Sequence, residues 1–167
     1  MPSTARPVLN LPRSRWEWGL EVAAITGLLL GPLVLLFYWP YLGERVPVHF
    51  DSTGQPTRHG SPLELLVLPV VAGVMYALMT ALARIPHWHN YPVRVTERNA
   101  ERLYRIGREL LAVIKAITAW MCAAIAWVAA DAGASGGPPA RVLGGVAVVA
   151  RPFRRGAGDV LRMARGR

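Results

Sequence analysis

The sequence contains very little cysteine, with Cys122 as the single example among 167 residues. One cysteine cannot form a disulfide within the chain, so the fold is expected to depend on packing alone. Acidic residues are also scarce, since 10 Asp and Glu stand against 19 Lys and Arg. The sequence lacks the motifs typical of zinc proteases, α/β-hydrolases and phosphate-binding loops. We therefore expect no enzyme activity, no cofactor and no metal site.

Charge is missing altogether from two long segments. Val22–Trp39 has 18 consecutive residues without a charge, and Leu65–Ala83 has 19. A third apolar run, Leu110–Ala130, is interrupted only by Lys115. About 20 apolar residues are needed to cross the roughly 30 Å hydrocarbon core of a bilayer. The sequence therefore predicts an all-α integral membrane protein, a small antiparallel bundle of three transmembrane helices, with Lys115 reaching out to the membrane surface.

The net charge of +9 could indicate nucleic-acid binding, but arginine also accumulates beside membrane spans on the cytoplasmic side. The segment before the first run has three arginines, the first loop has two and the second loop has six. We therefore expect a multi-pass protein of the plasma membrane with its N-terminus inside and its first loop outside. We expect the lipid bilayer as a partner and no nucleic acid.

The predicted domain organisation has three parts. Residues 1–19 form a cytoplasmic tail, disordered to residue 15, and residues 20–130 form the membrane domain, with spans at about 20–40, 63–84 and 110–130. Residues 131–167 are a Gly/Pro linker and a basic C-terminal tail. Whether a fourth segment within 132–150 crosses the membrane stays open. A crossing would return six of the tail's arginines to the inside, but the segment is weakly apolar and contains Arg141.

The first loop is rich in residues that favour turns. Val46–Phe50 is predicted to be extended, and Asp51–Gly54 to form a tight turn in which Asp51 accepts backbone hydrogen bonds and Gly54 supplies a positive φ. Ser61 followed by Pro62 fits the start of the second helix, with Glu64 in the first turn where the helix dipole favours a carboxylate. Pro69 is predicted to kink that helix.

The second loop contains an amphipathic stretch, Thr96–Glu109. Apolar residues recur there at helical spacing, while Arg98, Arg102 and Arg105 share another face. We expect a helix that lies in the membrane surface before it continues into the third span, with Glu101 and Arg105 forming an i,i+4 pair. The arginine face would contact anionic lipid or a cytoplasmic partner.

The first loop also carries a family resemblance. The stretch Arg45-Val-Pro-Val-His-Phe-Asp-Ser-Thr-Gly-Gln-Pro56 resembles the hallmark loop of the membrane protein family known as domain of unknown function (DUF) 1648. Asn90–Arg105 also resembles relatives, and the resemblance covers about residues 20–130. The residues that match the motif are Val46, Pro47, His49, Phe50, Asp51, Gly54 and Pro56.

The same domain forms the front part of SdpI-type proteins, some of which are immunity factors against a secreted toxin. The resemblance implies a non-enzymatic membrane protein whose outer loop recognises an extracellular peptide or toxin, or signals its presence. The alternatives are an accessory subunit of a transporter and an unrecognised membrane enzyme. Polar residues that face each other inside the bundle would favour transport, and a pocket shared by Glu64, His49 and Asp51 would favour catalysis or metal binding. For His49 itself, a hydrogen bond to the loop backbone is favoured over a role in pH sensing.

Overall fold

The computed structural model describes residues 6–136. In this part of the chain, three α-helices and one β-hairpin follow each other in the order α1 (Arg15–Tyr38), β1 (Val46–Phe50), β2 (Pro56–Gly60), α2 (Val67–Ala83) and α3 (Ala100–Ser135). Short 3-10 turns lie at Trp39–Tyr41, Pro62–Leu66 and Pro86–Trp88. Within residues 6–136, three segments are long and apolar enough to cross a membrane, Arg15–Tyr41, Pro62–Ala83 and Ala100–Ser135. The predicted class, a helical membrane protein with three spanning helices, is confirmed. The predicted fourth segment lies mostly beyond residue 136, outside the described residues.

Helix α1 begins earlier than the span predicted from the uncharged run. The Ser14 hydroxyl accepts a hydrogen bond from the Glu17 amide at 3.1 Å, and the Glu17 carboxylate accepts one from the Ser14 amide at 2.7 Å. This reciprocal capping box satisfies two amide groups that have no partner within the helix. The helix therefore starts at Arg15 and includes two carboxylates that precede the apolar run.

The three helices form an up-down-up bundle. Gly31 approaches Ala123 and the Tyr38 hydroxyl donates to Asp131, so α1 and α3 run parallel with an offset of about ninety residues. The Tyr76 hydroxyl of α2 contacts Glu21 of α1, while Leu65, just before α2, packs near the other end of the bundle. Helix α2 is therefore antiparallel to its neighbours. We call the two ends the hairpin end and the amino-terminal end.

Small residues allow α1 and α3 to pack closely. A Cβ atom added to Gly27 would lie 2.9 Å from the backbone nitrogen of Trp120, a distance that permits no side chain there. Ala24 of α1 and Ala116, Ala119 and Ala123 of α3 are all buried, and Gly31 approaches Ala123. Within a membrane, where hydrophobic burial does little to bring helices together, such close backbone packing is a principal source of association.

The first loop is an ordered β-hairpin. The strands pair antiparallel, with Val46 opposite Gly60 and Phe50 opposite Pro56. Gly54 has a φ of 81°, so its predicted positive φ is confirmed, as is the predicted extended stretch Val46–Phe50. The second strand was not predicted, since Pro56–Gly60 has few residues with β propensity. Val46 is fully buried in the same apolar cluster as Leu35 and Leu65.

Three predictions about local structure are wrong. Residues 6–14 are packed rather than disordered, because Tyr104 donates a hydrogen bond to the Pro7 carbonyl and Arg108 donates one to the Leu11 carbonyl.

The stretch 100–109 does not lie in the membrane surface, because Ala100–Ser135 is one unbroken helix of 36 residues, about 54 Å long. Pro69 does not kink α2, since the helix begins at Val67 and a proline in the first turn removes no helical hydrogen bond.

Candidate functional site

A cleft separates the hairpin from the C-terminal end of α3, and we call it the hairpin cleft. It has a volume of about 200 Å³. Its walls are Arg45, Pro47, Pro56 and His59 on the hairpin side, and Ala132, Gly133 and Gly136 on the α3 side. A cationic side chain, a histidine and two proline rings thus face a helix end built from small residues.

The motif residues divide into those that anchor the hairpin and those that remain accessible. Val46 anchors it, because a Cβ atom on Gly133 would lie 2.8 Å from Val46 Cγ1, and Phe50 packs against the same core cluster. Pro47, which is buried, and Pro56, which is half-buried, line the cleft. His49 is exposed, and its ring forms no hydrogen bond within residues 6–136, so the expected bond to the loop backbone is not observed there.

Asp51 organises the hairpin turn. Its carboxylate accepts hydrogen bonds from the Thr53 hydroxyl at 2.6 Å, the Thr53 amide at 2.8 Å and the Gln55 amide at 2.9 Å. The Thr53 hydroxyl and these amide groups hold the pKa of the Asp51 carboxyl below its usual value because they stabilise the charged form. The predicted turn is therefore confirmed, and Asp51 has a structural part in it.

Glu64 has a structural role at the start of the next segment. Its carboxylate accepts a hydrogen bond from the Ser61 amide at 3.1 Å and one from Arg58 at 2.8 Å, as its position near a helix start predicts. It is therefore engaged in capping and in an exposed ion pair. In the part of the chain that the structure describes, no three His, Cys, Asp or Glu side chains converge.

A second cavity lies at the amino-terminal end, and we call it the ion-pair cavity. It has a volume of about 240 Å³ and is enclosed by the segment before α1, the first turns of α1, the end of α2 and the first half of α3. Its charged lining residues are Arg13, Glu17, Glu21, Arg84, Arg108 and Lys115. This site was not predicted from the sequence.

Glu17 and Arg108 form the first ion pair of the cavity. Arg108 donates from Nε at 2.9 Å and from Nη2 at 2.7 Å to Oε1 of Glu17. The side chains are only 7% and 11% exposed, so the pair is shielded from water. Arg108 also donates to the Leu11 carbonyl at 2.7 Å and thereby holds the amino-terminal segment over the cavity.

Glu21 and Lys115 form the second ion pair, deeper in the bundle. Nζ of Lys115 donates to Oε2 of Glu21 at 2.8 Å and to the Thr80 hydroxyl at 3.2 Å. The Tyr76 hydroxyl donates to the other oxygen of Glu21, and its ring centroid lies 4.6 Å from Lys115 Nζ. The prediction that Lys115 reaches out to the membrane surface is therefore wrong, because a carboxylate from α1 is available inside the bundle.

The spacing of small residues could have revealed this site. Glu17, Glu21, Ala24, Gly27 and Gly31 recur every three or four residues and are all buried. A carboxylate on the same helical face as the glycines that permit close packing must point inward. Lys115 is likewise buried on the same face of α3 as its buried alanines, so its side chain points inward as well.

The predicted basic face is only partly assembled. Arg98 precedes α3, Arg102 is exposed on its first turn, and Arg105 donates to Glu101 at 3.0 Å, as the i,i+4 spacing predicted. Contact of these three arginines with lipid or with a partner stays a prediction.

Comparison with known proteins agrees with the loop motif. Residues 27–73 match the family described as "Domain of unknown function (DUF1648)", which confirms the resemblance over the end of α1, the hairpin and the start of α2. An uncharacterized protein of Archaeoglobus fulgidus is 37% identical over 81 residues, which cover 44% of this chain and 43% of that protein. The chain thus spans less than half the length of this curated relative. No solved structure matches the chain.

Proposed function

We propose that this membrane protein, which carries a DUF1648 segment at residues 27–73, is non-enzymatic and uses its hairpin cleft to recognise an extracellular peptide. The observation that carries the proposal is that the motif builds an anchored hairpin with an accessible cleft. Val46 and Phe50 fix the hairpin to the bundle, while Pro47 and Pro56 face the cleft. A preorganised surface of this kind loses little conformational entropy on binding.

The chemistry of the cleft favours a small anionic group of a peptide. Arg45 and His59 line it, and an arginine guanidinium binds a carboxylate with two parallel hydrogen bonds. A volume of about 200 Å³ is below the roughly 300–1,000 Å³ of sites for drug-sized ligands. The occupant is therefore one acidic side chain or a terminal carboxylate of a longer peptide. The SdpI-like role, immunity against a secreted peptide, is consistent with such a ligand.

Selection from a random peptide library tests this proposal. The wild-type protein in nanodiscs should enrich a set of peptides. These peptides should bind the Arg45→Gln variant at least about tenfold less tightly, since a hydrogen bond to a charged group contributes about 1.5–3 kcal/mol. Arg94→Gln removes an exposed arginine at the other end of the bundle and should leave binding unchanged. Enriched peptides that bind wild type and Arg45→Gln equally, or no enrichment over empty nanodiscs, would contradict the proposal.

The proposal also needs the hairpin to face the outside. Cysteines introduced separately at Ser52 and Asn99, in a Cys122→Ser background, lie at opposite ends of the bundle. An impermeant thiol reagent applied to intact cells should label position 52 and spare position 99. The reverse pattern would place the cleft in the cytoplasm.

A transport role is the second candidate, and one observation favours it. Charged and polar side chains of all three helices meet at Glu21, Tyr76 and Lys115 inside the bundle, and ionisable groups within spans often mark ion or substrate paths. As an accessory subunit of a transporter, the protein would need these groups for flux. Glu21→Gln combined with Lys115→Met would then abolish transport while leaving peptide binding at the hairpin intact.

A further inference from the structure

The ion-pair cavity carries an excess of positive charge. Four cations line it, Arg13, Arg84, Arg108 and Lys115, whereas the carboxylates are Glu17 and Glu21. All of its lining residues lie outside the segment that matches the DUF1648 family, residues 27–73. The cavity is therefore a feature that the family match does not explain.

The two carboxylates are already neutralised by the deeper cations. Glu17 accepts three hydrogen bonds from Arg108, and Glu21 is held by Lys115 at 2.8 Å. Arg84 is exposed and its guanidinium makes no hydrogen bond within residues 6–136. Arg13 approaches Glu21 only to 3.5 Å and lies over the Trp18 ring at 5.2 Å. Two guanidinium groups at the rim thus keep donors for a further anion.

The size and position of the cavity limit the ligand. About 240 Å³ holds a small charged group rather than a drug-sized molecule. Leu9, Leu11, Met79 and Ala83 form apolar walls beside the charged rim. Trp16 and Trp18 are exposed close by, and tryptophans of this kind mark the boundary between membrane and water. We therefore expect a ligand that has an anionic group next to an apolar part.

We propose that the ion-pair cavity binds the phosphate group of an anionic ligand, held by Arg13 and Arg84. Guanidinium groups match phosphate oxygens with paired, charge-assisted hydrogen bonds. The C-terminal end of α2 brings partial negative charge to the same place, and Arg84, as its C-cap residue, compensates that charge. The phosphate can belong to a lipid headgroup or to a soluble phosphate ester.

Thermal unfolding of the full-length protein in nanodiscs of zwitterionic lipid tests the proposal. Titration of an anionic phosphoglyceride into the nanodiscs should raise Tm, because a ligand that binds the folded state stabilises it. Separate titrations with inorganic phosphate and with glycerol 1-phosphate provide the soluble arm. A shift with the lipid alone identifies a headgroup site, and a shift with the soluble anions as well identifies a general phosphate site.

Variants at the rim give the specific readout. Arg84→Gln should weaken apparent affinity about fivefold, and Arg13→Gln with Arg84→Gln about twenty-five-fold, since each arginine near an anionic headgroup contributes about 1 kcal/mol. Arg84→Lys keeps the charge but loses the paired hydrogen bonds, so it should retain only part of the affinity. Arg94→Gln, an exposed arginine outside the cavity, should stay within about twofold of wild type. Equal effects of Arg84→Gln and Arg94→Gln, or no Tm shift with any of the three anions, would overturn the proposal.

Discussion

The buried ion pair between Glu21 and Lys115 predicts a large loss of stability when one partner is removed. Their side chains are 11% and 4% exposed, and Nζ lies 2.8 Å from Oε2. Removing one member of such a pair costs about 3–5 kcal/mol, because the other charge remains buried without compensation. We expect Glu21→Met to lower the free energy of unfolding by this amount, since Lys115 would retain only the Thr80 hydroxyl and the Tyr76 ring.

The two single variants should differ, and the double variant should recover. Lys115→Met leaves Glu21 with the Tyr76 hydroxyl and with Arg13 at 3.5 Å, so its cost should be smaller, about 2–3 kcal/mol. Glu21→Met combined with Lys115→Met removes both charges and fills the space with apolar groups. That protein should lie within about 1 kcal/mol of wild type, because a buried pair and a well-packed apolar pair have similar stability.

A double-mutant cycle on full-length protein, unfolded reversibly in mixed micelles, measures the coupling. We expect a coupling energy of about 3 kcal/mol or more. The exposed pair of Glu101 and Arg105 is the matched control and should show about 0.3–0.5 kcal/mol. A value near 0.6 kcal/mol for Glu21 and Lys115, the average for hydrogen bonds between membrane helices, would refute the reasoning, as would additive single and double variants.

Two further predictions concern the hairpin. Gly133→Val should displace the hairpin at a cost of about 1–3 kcal/mol, because a Cβ atom there would lie 2.8 Å from Val46. Limited proteolysis should then cut residues 51–55 faster, whereas Gly73→Ala, where an added Cβ meets nothing within 4 Å, should not change the rate. The lowered pKa of Asp51 means that its contribution to turn stability is complete above its unfolded pKa of about 3.9 and is lost as pH falls through the lower folded value. Amide exchange at Gln55 should therefore show less protection at low pH than near neutrality, and Asp51→Asn should remove this pH dependence.

The sequence predicted the features that depend on local composition. Long uncharged runs identify membrane helices because a charge without a partner is costly in the hydrocarbon core. The Asp51–Gly54 turn and the Ser61 cap were predictable for a similar reason, since their hydrogen bonds join residues within four positions of each other.

The features that the sequence did not predict depend on contacts between distant residues. Glu21 and Lys115 are 94 positions apart, and nothing near either residue specifies the other. The strand Pro56–Gly60 likewise forms because the Asp51 turn returns the chain beside Val46–Phe50, although its own residues have little preference for a strand. The amino-terminal segment was misjudged because its ordering comes from Tyr104 and Arg108 on α3.

The long separation between the charged partners has a consequence for biosynthesis. Glu17 leaves the ribosome 91 residues before Arg108, and translation proceeds at about 5–20 residues per second. For roughly 5–20 s, the first helix therefore has carboxylates but no cations from α3 to neutralise them. A nascent α1 cannot settle at its final depth during this interval without a cost in desolvation. Helix α1 therefore reaches its final depth in the bilayer after α3 has emerged, so that α3 completes the insertion of α1.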